Sequence, residues 1–161
     1  MEIIDYNKLQ NEIVEFISKK SYMALATCSN QHVTARMINV INDGLDIYFL
    51  TSNSFTKFKQ ISRNPYIALC VENMQYEGKA EIMGNPLENQ FFKQTYQKKH
   101  EKSFDLYAYL KDSIVIKIYP MIITLWKYVP GIEPYREYLN VPEKKALKDF
   151  YHMCKSNNQL P

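Results

Sequence analysis

The chain has 161 residues, of which 46% are apolar and 23% charged, so it can build a core and still present a polar surface. A net charge of +3 is too small to argue for a nucleic-acid partner, and no apolar run is long enough to span a bilayer. The first residues lack the basic-then-apolar pattern of a secretory signal, which makes the cytoplasm the expected location and a single domain over residues 1–161 the expected organisation.

Taken in chain order, the pattern opens with a helix over residues 5–20, capped by Asp5 and carrying Leu9, Ile13, Phe16 and Ile17 as one apolar stripe. The period then shortens. Strands are predicted over 22–28 and 32–41, with a turn at Ser29-Asn30-Gln31 between them. Asn42-Asp43-Gly44 is a hairpin signal leading to a third strand over 45–51. A short helix over 54–63 stops at Asn64-Pro65, and strands over 66–72 and 75–83 form an antiparallel pair. Gly84-Asn85-Pro86 opens a helix running to 99, and a helical piece at 104–110 follows. Two strands, 113–119 and 121–128, are separated at Pro120, and after Val129-Pro130-Gly131 an irregular stretch leads to a last helix over 142–155. About seven short antiparallel strands with flanking helices predict a mainly β fold closing toward a barrel.

No dinucleotide-binding glycine pattern or phosphate-binding P-loop is present, and the cysteines and histidines show no metal-ligand spacing. Cys28, Cys70 and Cys154 read as reduced thiols, the first two as small buried hydrophobes. His32, His100 and His152 are scattered, so no acid–base pair is visible and the catalytic residues stay unassigned.

Two places do not fit a plain core. On the second strand Arg36 shares a face with Ile38 and Val40, while Asn39 lies with Val33, Ala35 and Met37. Two apolar faces predict a strand covered on both sides, and a covered Arg needs an anion, either a carboxylate of this chain or a bound phosphate. The other place is Thr51-Ser52-Asn53-Ser54-Phe55-Thr56-Lys57, where a strand passes into a helix through a run of hydroxyls. Ser54 is the natural cap, yet the capping-box position three residues on holds Lys57, a cation opposed to the helix dipole. Either Lys57 is simply exposed, or an anion sits at this helix start with hydroxyls and free N–H groups around it. The lone Trp126 can pack, or stack on a planar ligand.

These residues resemble the pyridoxamine 5′-phosphate oxidase-like family, the FMN-binding antiparallel split β-barrels. The resemblance runs from about residue 22 to 86 and more weakly to Trp126. It is carried by Arg36-Met37-Ile38-Asn39, Asp43-Gly44, Ile47-Tyr48-Phe49-Leu50-Thr51, Ser54-Phe55-Thr56-Lys57, Asn64-Pro65, Leu69-Cys70-Val71 and Gly78-Lys79-Ala80-Glu81 in that order. It implies a barrel over about 22–128 with a C-terminal extension over 129–161, and FMN as cofactor. Arg36 and Lys57 would grip the FMN phosphate. Met37, Ile38 and Asn39 would run along the flavin, partly through backbone groups, while Leu50, Thr51 and Ser52 would meet the ribityl chain and phosphate. Asn73 would reach the flavin from a facing strand. The family places FMN at a homodimer interface, where Trp126 is the candidate contribution of the second subunit. The activity implied is a flavin-dependent oxidoreductase acting on a small molecule. The alternatives are a flavin-binding stress or sensor protein without turnover, or the same fold holding haem or a deazaflavin. Oxidases of pyridoxamine phosphate carry an Arg-x-His-Asp-Arg run, where this chain has Pro134-Tyr135-Arg136-Glu137-Tyr138, and Thr56 replaces their second basic residue. These departures point away from vitamin B6 oxidation and toward small FMN-binding members of the fold.

Overall fold

The computed structural model describes residues 1–150. Helix α1 (Tyr6–Ser18) forms where the stripe predicts it, with Asp5 Oδ1 accepting the Lys8 N–H at 2.7 Å and Leu9, Ile13 and Ile17 buried. Strand β1 (Glu2–Ile4) precedes it. The alternating segments that follow become β2 (Tyr22–Ser29), β3 (His32–Asn39), β4 (Ile41–Asp43) and β5 (Asp46–Ser52). Helix α2 (Thr56–Arg63) then leads into the hairpin of β6 (Tyr66–Val71) and β7 (Met74–Gly84). Helices α3 (Gln90–Lys99) and α4 (Glu101–Tyr107) precede the long strand β8 (Ser113–Lys127), followed by β9 (Tyr135–Asn140) and β10 (Lys145–Phe150).

All strand pairings are antiparallel and run in the order β1-β10-β9-β8-β7-β6-β2-β3, while β5 pairs with β4 and with β8. Strand β8 organises the sheet. One edge follows β7; the other pairs with β5 from Ser113 to Ile118 and with β9 from Ile122 to Lys127. The ring does not close, because β3 and β5 share no ladder, and this opening is the split in the barrel. The principal core, with Met23, Leu25, Ile47, Phe49, Leu69, Tyr76 and Ile123, lies inside the curved sheet and under α1. A second cluster, Ile41, Tyr48, Phe92, Tyr96, Phe104, Ala108 and Val115, fastens α3 and α4 beside the split.

Several expectations are corrected. Pro120 does not end a strand. It sits on a continuous β8 where the outer edge changes partner between Ile118 and Ile122, the position at which a missing N–H disturbs the ladder least. The last helix predicted over 142–155 is absent from the described residues. Lys145–Phe150 is strand β10, because Ala146, 1% exposed, alternates toward the core opposite Leu139, and pairing with β9 outweighs local helix propensity. Residues 151–155 of that prediction lie outside the described residues, as do His152 and Cys154. Ser54 does not cap α2: the cap position is Phe55, with no side-chain cap bond. Strand β3 is covered on one face only by the described residues, since Val33 (63% exposed) and Met37 (58%) have no layer of those residues over them. Cys70 is likewise exposed and Cys28 half-buried. No helix among the described residues is long and apolar enough to cross a membrane.

Candidate functional site

The split holds a cavity of about 380 Å³, whose lining includes Met37, Ile38 and Asn39 of β3 and Leu50, Thr51 and Ser52 of β5. These are six of the ten residues expected to hold a cofactor. The strand pairing explains why they face a space. On the side away from β2, β3 has no ladder partner, and β4 pairs with β5 only as far as Tyr48, which leaves the edge of Phe49 to Ser52 free. Two free strand edges therefore border the opening, and their unpaired N–H and C=O groups can meet the polar rim of a planar ligand. The Thr51 hydroxyl is buried and has no hydrogen-bond partner among the described residues, an orphan donor in a residue of the cavity wall.

The rest of the lining comes from residues that sequence reasoning missed: Phe55, Tyr96, Ser103, Tyr107, Leu110, Asp112 and Ser113. Tyr96 is 2% exposed, and its hydroxyl meets Ser103 Oγ at 3.1 Å. Burial pushes its phenol pKa up, against smaller opposing effects of Ser103 and Asn39. Asp112 accepts a hydrogen bond from Ser52 Oγ, and its carbonyl accepts the Asn53 N–H at 2.9 Å. Ser52 Oγ in turn accepts the Ser54 N–H at 3.1 Å. Spacing along the chain gave no sign of these partners, since α3 and α4 reach the cavity only through the second core cluster.

Arg36 and Lys57 stand together beside α2. Arg36 lies two residues before Ile38 on the same face of β3, about 7 Å further along the strand. Lys57 is in the first turn of α2, which carries no acidic residue there. Among the described residues neither forms an ion pair with a carboxylate. Burial holds the Lys57 pKa below its ordinary value, and the neighbouring Arg36 charge adds to the effect. Desolvation also lowers that of Arg36, though a guanidinium stays charged. Two adjacent cations without a counter-ion form a ready anion subsite.

Asn73 and Trp126 are held elsewhere. Asn73 Nδ2 donates to the Trp126 carbonyl at 2.7 Å and the Trp126 N–H donates back to the Asn73 carbonyl at 3.0 Å. Trp126 is separated from cavity residue Ser113 by nearly the full length of β8, roughly 40 Å of extended strand. Of the histidines, His32 is exposed and His100 Nε2 lies 2.9 Å from the Val40 carbonyl. Neither lines the cavity, and the described residues hold no cluster of His, Cys, Asp and Glu suited to a metal ion.

Comparison with known proteins agrees with this architecture. The model of the family Pyridoxamine 5′-phosphate oxidase matches residues 9–127. The chain belongs to that family, and its open antiparallel sheet is the family's split β-barrel. Similar solved structures include a protein related to general stress protein 26 of B. subtilis, from Clostridium acetobutylicum (15% identity, 88% of this chain and 99% of that one, TM-score 0.66). Others are a haem storage protein of Vibrio cholerae (16% identity, 70% and 89%, TM-score 0.58) and an FAD-binding protein of Mesorhizobium loti (10% identity, 70% and 90%, TM-score 0.57). At these identities the likeness is one of fold. No curated protein sequence matches the chain.

Proposed function

We propose that the chain binds FMN in the split of the barrel, as a homodimer, and acts as a flavin-dependent oxidoreductase on a small molecule. The observation that carries this reading is the orphan Thr51 hydroxyl in a cavity bordered by two free strand edges, with Arg36 further along β3 and Lys57 beside it at the start of α2, neither ion-paired to a described carboxylate. Those features fit the three parts of FMN. The strand edges at Met37–Asn39 and Leu50–Ser52 suit a flat heterocycle with polar atoms on its rim. The Thr51 hydroxyl suits a polyol chain. The cation pair suits a phosphate dianion. A bound flavin would supply the two-electron redox chemistry, and the protein would supply position, charge and exclusion of water.

The bare outer face of β3 supports the dimer. Val33 and Met37 are exposed beside Ala26, Cys28 and Ala68 of the adjoining strands, which form with them an apolar shelf for a second copy. Trp126 and Asn73, distant from the cavity in one chain, are then the residues through which that copy would reach the ligand. The similar haem storage protein raises haem as a second ligand, but among the described residues no histidine lines this cavity.

The purified protein, mixed with FMN and freed of excess, is expected to keep a flavin absorption spectrum and to oxidise NAD(P)H with oxygen or a quinone as acceptor. A spectrum without flavin bands after reconstitution overturns the cofactor assignment. Flavin bands without turnover leave a flavin-binding or sensor protein.

Lys57 gives a pH test with a definite sign. Its pKa is lowered in the free protein, and a phosphate beside it would raise it again. Between the two values the complex holds more protons than the free protein, so FMN affinity falls as pH rises. The Lys57 share of the affinity is full below its free-protein pKa, which lies under the ordinary 10.5, and is lost as pH rises through its raised value in the complex. Riboflavin, sharing the ring but lacking the phosphate, is the control, and Lys57→Arg should flatten the FMN profile. Parallel profiles for the two ligands exclude Lys57 as the phosphate partner.

A further inference from the structure

Behind Arg36 lies a buried polar assembly. Gln60, 3% exposed, sits one turn after Lys57 on α2, so both side chains face β3. Its Oε1 accepts hydrogen bonds from Thr27 Oγ1 and Thr34 Oγ1, each at 2.6 Å, and its Nε2 donates to the His32 carbonyl at 2.9 Å. The same two threonine oxygens accept from the guanidinium: Arg36 Nη1 donates to Thr27 at 2.7 Å, and Nη2 donates to Thr34.

The polarity of this set is determined. A guanidinium only donates, and each threonine has a single hydroxyl proton. With both protons committed to Gln60 Oε1, the lone pairs of both threonines are free to receive Arg36. The two acceptor sites of Oε1 are thereby filled, and the amide cannot flip without losing its bond to His32. Arg36 is thus held from behind by neutral acceptors, the Leu25 carbonyl at 3.4 Å from Nη1 among them, so that its charge is not cancelled and its Nε and second Nη2 N–H groups are left to meet an anion. A carboxylate in place of the threonines would hold the guanidinium as firmly and quench it.

We propose that Gln60 is a positioning residue, which through Thr27 and Thr34 fixes Arg36 in the orientation that distinguishes a phosphorylated flavin from an unphosphorylated one. The inference rests on the reading that FMN binds here, and its test separates the two. FMN and riboflavin are titrated into the wild-type protein, Gln60→Leu, Thr34→Val, Arg36→Ala and the double variant Arg36→Ala/Gln60→Leu. A thermal melt of each variant is recorded first.

Wild type is expected to prefer FMN. Gln60→Leu and the near-isosteric Thr34→Val should each lower that preference about tenfold, the scale of one displaced charged hydrogen bond, with riboflavin affinity unchanged. Because Gln60 acts through Arg36, the double variant should lose no more preference than Arg36→Ala alone. A general structural role would weaken both ligands together. Equal loss for FMN and riboflavin, an unchanged preference in both Gln60→Leu and Thr34→Val, or additive losses in the double variant overturns the proposal while leaving FMN binding intact. A wild-type protein that binds neither ligand overturns both readings.

Discussion

Replacing Arg36 and Lys57 together by alanine is expected to weaken FMN binding by on the order of a hundredfold or more while leaving riboflavin affinity nearly unchanged. A charged hydrogen bond contributes about 1.5–3 kcal/mol, and two such contacts reach roughly 3 kcal/mol even at the low end, near two powers of ten in affinity. The low end applies because both groups retain some contact with solvent, which screens them. The fold should tolerate the change. Neither side chain neutralises a carboxylate, and the Lys57 charge raises the electrostatic cost of Arg36 rather than lowering it. Removing the cations relieves a like-charge contact in the free protein but gives up the Arg36 bonds to Thr27 and Thr34, so the thermal midpoint without ligand should move little. Isothermal titration with the two ligands, together with a melt of the free protein, reads both effects. An equal loss for riboflavin would place the damage in the cavity wall; unchanged FMN affinity would remove the phosphate assignment.

The cation pair of the candidate site was legible because it is built from exceptions to local rules. A cation at a helix start and an Arg on an apolar face each conflict with the element that carries them, and such conflicts tend to mark function. The ligand proposed for it was not legible in that way; it rests on the resemblance carried by the ordered family residues. Residues 37–39 and 50–52 could be placed on strands by alternation, but the gap between those strands is a property of pairing. Strand β3 joins the sheet only through β2, and β5 only through β4 and β8, so no ladder links the two.

The same reason hides Tyr96, Ser103 and Asp112, which reach the cavity from segments 57 or more positions beyond Asn39. Gln60 could have been found: it lies three residues after Lys57 on the same helical face, opposite a strand that reads Thr34, Arg36, Ile38 at alternate positions. The misread C-terminal segment shows the opposite limit. Glu143-Lys144-Lys145-Ala146-Leu147-Lys148 has helix-forming composition, and only the presence of β9 alongside makes it a strand.

The largest effect on stability is expected at Gly78, where substitution by alanine should cost about 3 kcal/mol, the upper part of the range for overpacking a core. A Cβ built there would lie 2.7 Å from the Tyr119 carbonyl oxygen, 2.7 Å from Ile118 Cγ2 and 2.8 Å from the Tyr76 ring. The first of these is backbone and cannot swing aside. Gly78 faces Pro120 across the ladder, beside a register shift, at the point where β8 exchanges one partner for another. The crowding would also press on Tyr76, which is fully buried and whose hydroxyl lies 3.0 Å from the Leu45 carbonyl and 3.2 Å from that of Ile118. That hydroxyl ties the hairpin ahead of β5 to β8, so displacing the ring loosens the strand that carries Leu50, Thr51 and Ser52. Tyr76→Phe removes the tie without the clash and should cost about 1 kcal/mol, plus any penalty for carbonyls left without a donor. Denaturant unfolding of the two variants separates the effects: Gly78→Ala should fall well below Tyr76→Phe, and its flavin affinity should fall with it because the wall is no longer held. A Gly78→Ala protein as stable as wild type would mean that β7 and β8 can separate at the bulge without strain, and that the close approach of the two strands there is not what holds the cavity wall.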